Sequence, residues 1–221
     1  SSTEQNPVHT FAAAGVYDVT LLITGANCQS TVVKPVTIID STNYQHIYGQ
    51  VFAGNFPITQ GMAMIFPADT NPANSGYFAV APLDSNGVYY FNMVPEGSYY
   101  ILAIPLETSG YLPTYFGNSI YWEQSTIVIL GTAANPYNIN LFATEQLITG
   151  NGSISGQIGT GDFSAGMLDK INMILKNEQG QAIGFVHVTA AGDFDFPSLA
   201  LGTYYLRAEM PGVTSDQITV T

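Results

Sequence analysis

Positive charge is the scarcest commodity in this sequence. Lys and Arg together number 4 against 16 Asp and Glu, for a formal net charge of −12. Nucleic acid is thereby excluded as a partner, because binding it needs clustered Lys and Arg to neutralise phosphates. Anionic membrane surfaces are disfavoured for the same reason. Two readings of the acidity stand: simple solubility, or loose binding of a divalent cation such as calcium in an extracellular medium. No D-x-D-x-D-G loop is present to make the second specific.

Cysteine is almost absent. Cys28 is alone, so no internal disulfide and no thiolate-rich zinc site can form. Beside Gly25-Ala26-Asn27 it reads as a small residue near a turn. Its isolation does not argue for the cytosol, since many large bacterial surface proteins avoid cysteine. No run of about 18 apolar residues exists, so no membrane-spanning helix and no direct membrane insertion is expected. The chain opens at Ser1 without a basic, apolar leader, which suggests a piece of something longer.

What the sequence does have is strand and turn material. Tyr and Phe number 14 and 12, Gly and Pro 22 and 12, with abundant Val, Ile and Thr, and no stretch of sustained helix formers. That mixture makes short strands separated by turns. The expected fold class is all-β. At 221 residues the chain has room for two or three small domains.

An internal repeat then divides it. Gly49-Gln50-Val51 matches Gly156-Gln157-Ile158. Gly87-Val88-Tyr89-Tyr90-Phe91 matches Gly192-Asp193-Phe194-Asp195-Phe196. Val94, Gly97, Tyr99, Tyr100 and Ala103 then match Leu199, Gly202, Tyr204, Tyr205 and Ala208 without a gap. Within each copy the aromatic residues alternate with period two and so share one strand face. A turn follows, Pro95-Glu96-Gly97 or Ala200-Leu201-Gly202, and the next strand is expected to pair back antiparallel as a hairpin.

The stretch from Gly87 to Ala103, with its Tyr89, Phe91, Val94, Pro95, Gly97, Tyr99 and Ala103, resembles the carboxypeptidase-regulatory-like modules, and Ile47-Tyr48-Gly49-Gln50-Val51 fits the usual start of that family. The second copy lacks a proline at the position of Pro95. The resemblance implies transthyretin-like (prealbumin-type) β-sandwiches over 47–144 and 152–221. Residues 1–39 differ. Asn6-Pro7-Val8-His9-Thr10-Phe11 followed by Gly15-Val16-Tyr17-Asp18-Val19-Thr20-Leu21 resembles the C-terminal half of a PKD domain, an immunoglobulin-like sandwich. That resemblance implies a partial module, with Tyr17, Val19 and Leu21 inward and a last strand over 31–38. About 38 residues cannot close a two-sheet sandwich alone. Either the first half is missing or another chain supplies it. The expected whole is a set of tandem antiparallel β-sandwich modules, beads on a string, joined by linkers at 40–43 and 149–152.

Catalytic chemistry finds little support. His9, His46 and His187 sit in no G-x-S-x-G elbow, H-E-x-x-H helix or Cys–His pairing. His9 belongs to the PKD-like turn and His46 precedes a first strand, while His187 sits on a strand that could face either way. Asp193 and Asp195 share a strand face, which reads as solvated rather than as a carboxylate pair. An intramolecular Lys–Asn crosslink is excluded over 47–144, which holds no lysine. No enzyme and no cofactor is expected.

The candidate binding residues are aromatic: Tyr111, Tyr115, Tyr121 and Trp122, with Phe116 beside them. Exposed rings stack on sugar faces and anchor protein partners. The competing reading is that they cover the edge and core of the middle sandwich, whose strands would be completed by 126–130 and 137–142. The functional expectation is a non-catalytic structural or interaction array of a bacterial surface or secreted protein, meeting protein or glycan partners or associating with itself. The alternative is a carbohydrate-binding accessory region of a secreted polysaccharide-degrading enzyme.

Overall fold

Three of the four Gly-x-Tyr steps in the sequence use their tyrosine in the same way. Tyr17, Tyr99 and Tyr204 donate their hydroxyls to the carbonyls of Ala13, Pro95 and Ala200, four residues upstream, at 2.8, 3.0 and 2.8 Å. This is the tyrosine corner of β-sandwiches, a pin across the bend that leads one strand into the next.

The computed structural model describes residues 2–4, 6–24, 29–38, 44–68, 79–131, 136–159, 166–212 and 214–221. Cys28, its turn and the 40–43 linker lie outside these. Every element longer than a single 3₁₀ turn among the described residues is a β-strand, so the fold is all-β. No helix among them is long and apolar enough to cross a membrane. The chain divides into two compact units, Ser1–Tyr44 and Gln45–Thr221.

The first unit is a ribbon of β1 (Gly15–Thr24) and β2 (Gln29–Ile38), paired antiparallel from Gly15↔Ile38 to Thr24↔Gln29. His9 packs edge-on against Phe11, which packs on Tyr17. Val19, Leu21, Leu22 and Ile23 all remain exposed. One face of this ribbon gathers Tyr17, Val19, Leu21, Ile23, Val32 and Val36, the other mixes Val16, Leu22 and Val33 with Asp18, Thr20, Thr31 and Thr37, and both are open.

The second unit holds two sandwiches. In the first, one sheet comprises β3 (Tyr44–Ala53), β4 (Phe56–Pro57), β7 (Val88–Pro95) and β11 (Ile139–Asn140). The facing sheet comprises β5 (Gly61–Pro67), β6 (Ala79–Pro82), β8 (Ser98–Pro105), β9 (Thr114–Tyr115) and β10 (Val128–Ile129). Alternation fills the core from both: Ile47, Val51, Tyr89 and Phe91 meet Ile65, Ile101 and Ala103, with Val128, Leu130, Tyr137, Ile139 and Leu141 closing the ends. Gly49 lets the last segment approach. A Cβ there would lie 2.1 Å from the Tyr137 carbonyl oxygen.

In the second sandwich, β12 (Thr149–Gln157) pairs β15 (Asp193–Leu199). The opposite sheet runs β14 (Ala182–His187), β13 (Asn172–Lys176), β16 (Tyr204–Glu209), β17 (Ile218–Val220). The repeat holds at atomic detail. Gln50 and Gln157 donate their amides to the carbonyls of Asn86 and Ala191, and the N–H groups of Val51 and Ile158 donate to those of Gly87 and Gly192.

The expected hairpin is corrected. β7 pairs β3 while β8 pairs β5, so the two strands lie in opposite sheets, and β15 and β16 part in the same way. The turn at Pro95–Gly97 is an arch over the core. Alternation alone could not tell the two apart, since strands facing each other across a core alternate just as strands side by side do. The departure begins at Met93 and Ser198, repeat-equivalent residues with φ of 55° and 60°. Left-handed backbone at a non-glycine residue makes an irregularity that bends the strand near its end, and in β15 the register with β12 shifts at that point.

Candidate functional site: the aromatic junction between the sandwiches

The outward face of the first sandwich is apolar where its repeat partner is charged. In the β5–β8 pair, the outward cross-strand neighbours are Met62↔Ile104, Met64↔Leu102 and Phe66↔Tyr100. In β13–β16 the same places hold Asn172↔Glu209, Ile174↔Arg207 and Lys176↔Tyr205. An apolar sheet face needs cover, and the chain supplies it twice over. Leu112, Tyr115, Ile120 and Trp122 of the 110–125 segment lie on Met64, Phe66, Leu102 and Ile104, and Phe185 and Ala182 of β14 join them. Residues 45–221 are therefore one body rather than two separate beads. Burying side chains such as Phe66 or Leu102 contributes about 1.5–3 kcal/mol each.

Each sequence-nominated ring has a defined place. Tyr111 bridges to Ala143 and packs, half-buried, on the first core. Tyr115 has no exposed surface. The Tyr121 ring takes two cations, with the Arg207 guanidinium carbon 4.2 Å and Lys176 Nζ 5.0 Å from its centroid. Trp122 meets Tyr100 edge to face at 5.8 Å. Phe116 meets Tyr137 the same way at 5.4 Å. The group is thus split, with Tyr111 and Phe116 serving one core and Tyr115, Tyr121 and Trp122 the junction.

Sequence reasoning missed the polar half of this site. Glu209, fully buried, accepts the Trp122 backbone N–H on Oε1 at 2.8 Å. Arg207 binds Glu123 at 2.6 Å and stands 3.9 Å from Glu209 Oε2. Burial pushes the Glu209 carboxyl up to about 8. The Trp122 N–H and Arg207 pull it down, and Glu123 adds to the rise. Tyr115 is raised well above the ordinary phenol value by burial and then by Glu209. Burial thus favours the protonated form of Glu209, and Arg207 pairs with Glu123. The Tyr121 hydroxyl and both amide atoms of Asn172 are buried without a hydrogen bond. Such groups cost about 1–3 kcal/mol each. The signal available in sequence was that β16 carries Arg207 and Glu209 where β8 carries Leu102 and Ile104.

Two clefts of about 650 and 440 Å³ flank the junction and share Glu107 and His187 in their walls. Glu107 Oε1 accepts the His187 backbone N–H at 2.7 Å, and the His187 ring packs edge-on to Phe185. Burial lowers the His187 pKa, and Glu107 only partly offsets this. The larger cleft also holds Asp193, Asp195, Ser155 and Thr189, with the Thr189 hydroxyl accepting the Asp193 backbone N–H. Among the described residues no three His, Cys, Asp or Glu side chains converge as a metal site would require.

No family model and no curated protein matches the chain. Similar solved structures exist. The Bacillus anthracis TIE protein shares 15% identity over 94% of this chain, with a TM-score of 0.31, and the chain spans 39% of its length. A streptococcal ancillary pilin shares 15% identity over 95% of this chain and 72% of its own, with a TM-score of 0.31. A candidate carbohydrate-binding protein of Bacteroides uniformis shares 12% identity over 79% and 97%, with a TM-score of 0.29. At such scores the likeness carries no functional assignment.

Proposed function

We propose that the chain is a non-catalytic structural and interaction segment of a bacterial cell-surface or secreted multidomain protein, an adhesin-type spacer. The observation that supports it is the junction. Tyr115, Tyr121 and Trp122 are spent on joining two sandwiches into one body, backed by Arg207–Glu123 and the Trp122–Glu209 hydrogen bond. A stalk that holds a distal part at fixed reach needs stiffness between modules, and an interface of buried apolar and aromatic side chains supplies it. In this reading 47–144 and 152–221 are carboxypeptidase-regulatory-like modules, and 1–39 is the end of a PKD-like one.

The open ribbon of the first unit favours self-association as part of that role. Its unpaired edges and its exposed Val19, Leu21, Leu22 and Ile23 fit completion by further strands, from upstream residues or from a second chain. Antibody raised against residues 45–221 tests the location. Labelling of intact cells, or recovery from the medium, supports the spacer reading. Signal appearing only after lysis refutes it.

A further inference from the structure

The outward face of β3 and β7 carries a ladder of rings that its repeat partner does without. His46, Tyr90 and Tyr48 line up across the two strands with nearly parallel planes, at centroid separations of 5.4 and 6.5 Å and interplanar angles of 25° and 23°. Tyr48 is 40% exposed and Tyr90 52%. The repeat places Ser153, Ser155 and Asp195 at the same positions of β12 and β15, where Ser155 and Asp195 are direct cross-strand partners. The second sandwich therefore forms the same strand pair with two hydroxyls and a carboxylate. The fold does not need the rings, and three adjacent exposed aromatics are more than the scattered apolar residues of an ordinary surface.

The setting of the ladder selects its partner. Asn92 follows Tyr90 on the same face of β7, and Gln50 follows Tyr48 on β3, with Asn138 hydrogen-bonded to the Gln50 backbone N–H. These neighbours are amides, neither acidic nor basic, in a chain of net charge −12. Among these described neighbours a strongly charged ligand finds no counter-charge. A neutral sugar chain finds both things it requires. The ring faces that the stack leaves open attract the polarised C–H groups of a pyranose, and amides both donate to and accept from its hydroxyls. Rings in a row suit successive residues of one extended chain.

We propose that the β3–β7 face, through His46, Tyr48 and Tyr90, binds a neutral polysaccharide. The test is native electrophoresis of the full chain through gels containing hydroxyethylcellulose, xylan or galactomannan. The wild type is expected to be retarded by at least one of them. H46S/Y48S/Y90D, which places the repeat partner's residues on the face, is expected to weaken that binding at least tenfold. Circular dichroism and the emission of Trp122, remote at the junction, check that the variant folds. Should it not fold, Y90T alone, at the middle of the ladder, is expected to weaken binding at least threefold. Absence of retardation in all three polysaccharides overturns the proposal, as does equal retardation of the folded variants. A wild-type dimer that the substitutions dissolve, without any glycan effect, also overturns it and makes the face a contact between copies.

Discussion

Glu209→Gln separates charge from shape at the junction. The carboxyl has a folded-state pKa near 8 against an ordinary 4.5, with burial as the main cause. Below about pH 4.5 both folded and unfolded states hold the proton, and stability is at its full value. Between 4.5 and 8 the unfolded chain releases it while the folded chain keeps it, so stability falls as pH rises and levels off above 8. A shift of that size, at about 1.4 kcal/mol per unit, corresponds to a loss of roughly 3–5 kcal/mol across the window. Glutamine keeps an oxygen to accept the Trp122 N–H and cannot ionise. Urea denaturation of both proteins at pH 5, 7 and 9 reads the difference. The variant is expected to be within about 1 kcal/mol of wild type at pH 5 and more stable by several kcal/mol at pH 9. The −12 net charge acts on both proteins and cancels in the comparison. A constant difference at all three pH values would refute a buried, protonated Glu209.

Tyr99→Phe and Tyr204→Phe each remove one corner hydrogen bond, and thermal melts should show a loss of about 0.5–1.5 kcal/mol for either. Gly49→Ala puts a methyl group against the Tyr137 carbonyl, so it should cost more than 3 kcal/mol in the same assay and release the last segment of the first sandwich to limited proteolysis. Deleting residues 1–38 removes the open ribbon, and light scattering over a concentration series should show loss of any oligomer the full chain forms. Glycan titration should leave Trp122 fluorescence unchanged, because that ring packs in the junction against Tyr100.

Strand positions and the repeat were legible in the sequence because they depend on local alternation. Tyr89, Phe91, Phe194 and Phe196 announce which way their strands face, and Gly97 and Gly202 announce where those strands end. Pairing was not legible, because β7 and β8 carry the same inward pattern whether they lie side by side or across a core. The candidate rings were found by type but not by place. For Tyr115, Tyr121 and Trp122 a binding platform and a cover for the edge and core of the sandwich both stand open until the second buried face of β8 is recognised. The uninterrupted run Ile101-Leu102-Ala103-Ile104 was the signal, since a strand apolar on both sides is covered on both sides. Nothing local says that Arg207 and Glu209 are half-buried and buried in turn, because that depends on what 110–125 brings to them.

The parallel pairing of β3 with β11 has a mechanical consequence. The chain enters the first sandwich through β3 and leaves it after β11, so tension along the array drags these two neighbours past each other lengthwise. The Tyr137 and Leu141 N–H groups bond to the Tyr48 and Phe52 carbonyls, and Asn138 and Asn140 accept the N–H groups of Gln50 and Gly54. All four cross the same seam and are strained together in shear, so none can give way before the others. In the second sandwich the first and last strands, β12 and β17, belong to different sheets and share no such seam. Under load along the chain the first sandwich is expected to resist through that seam.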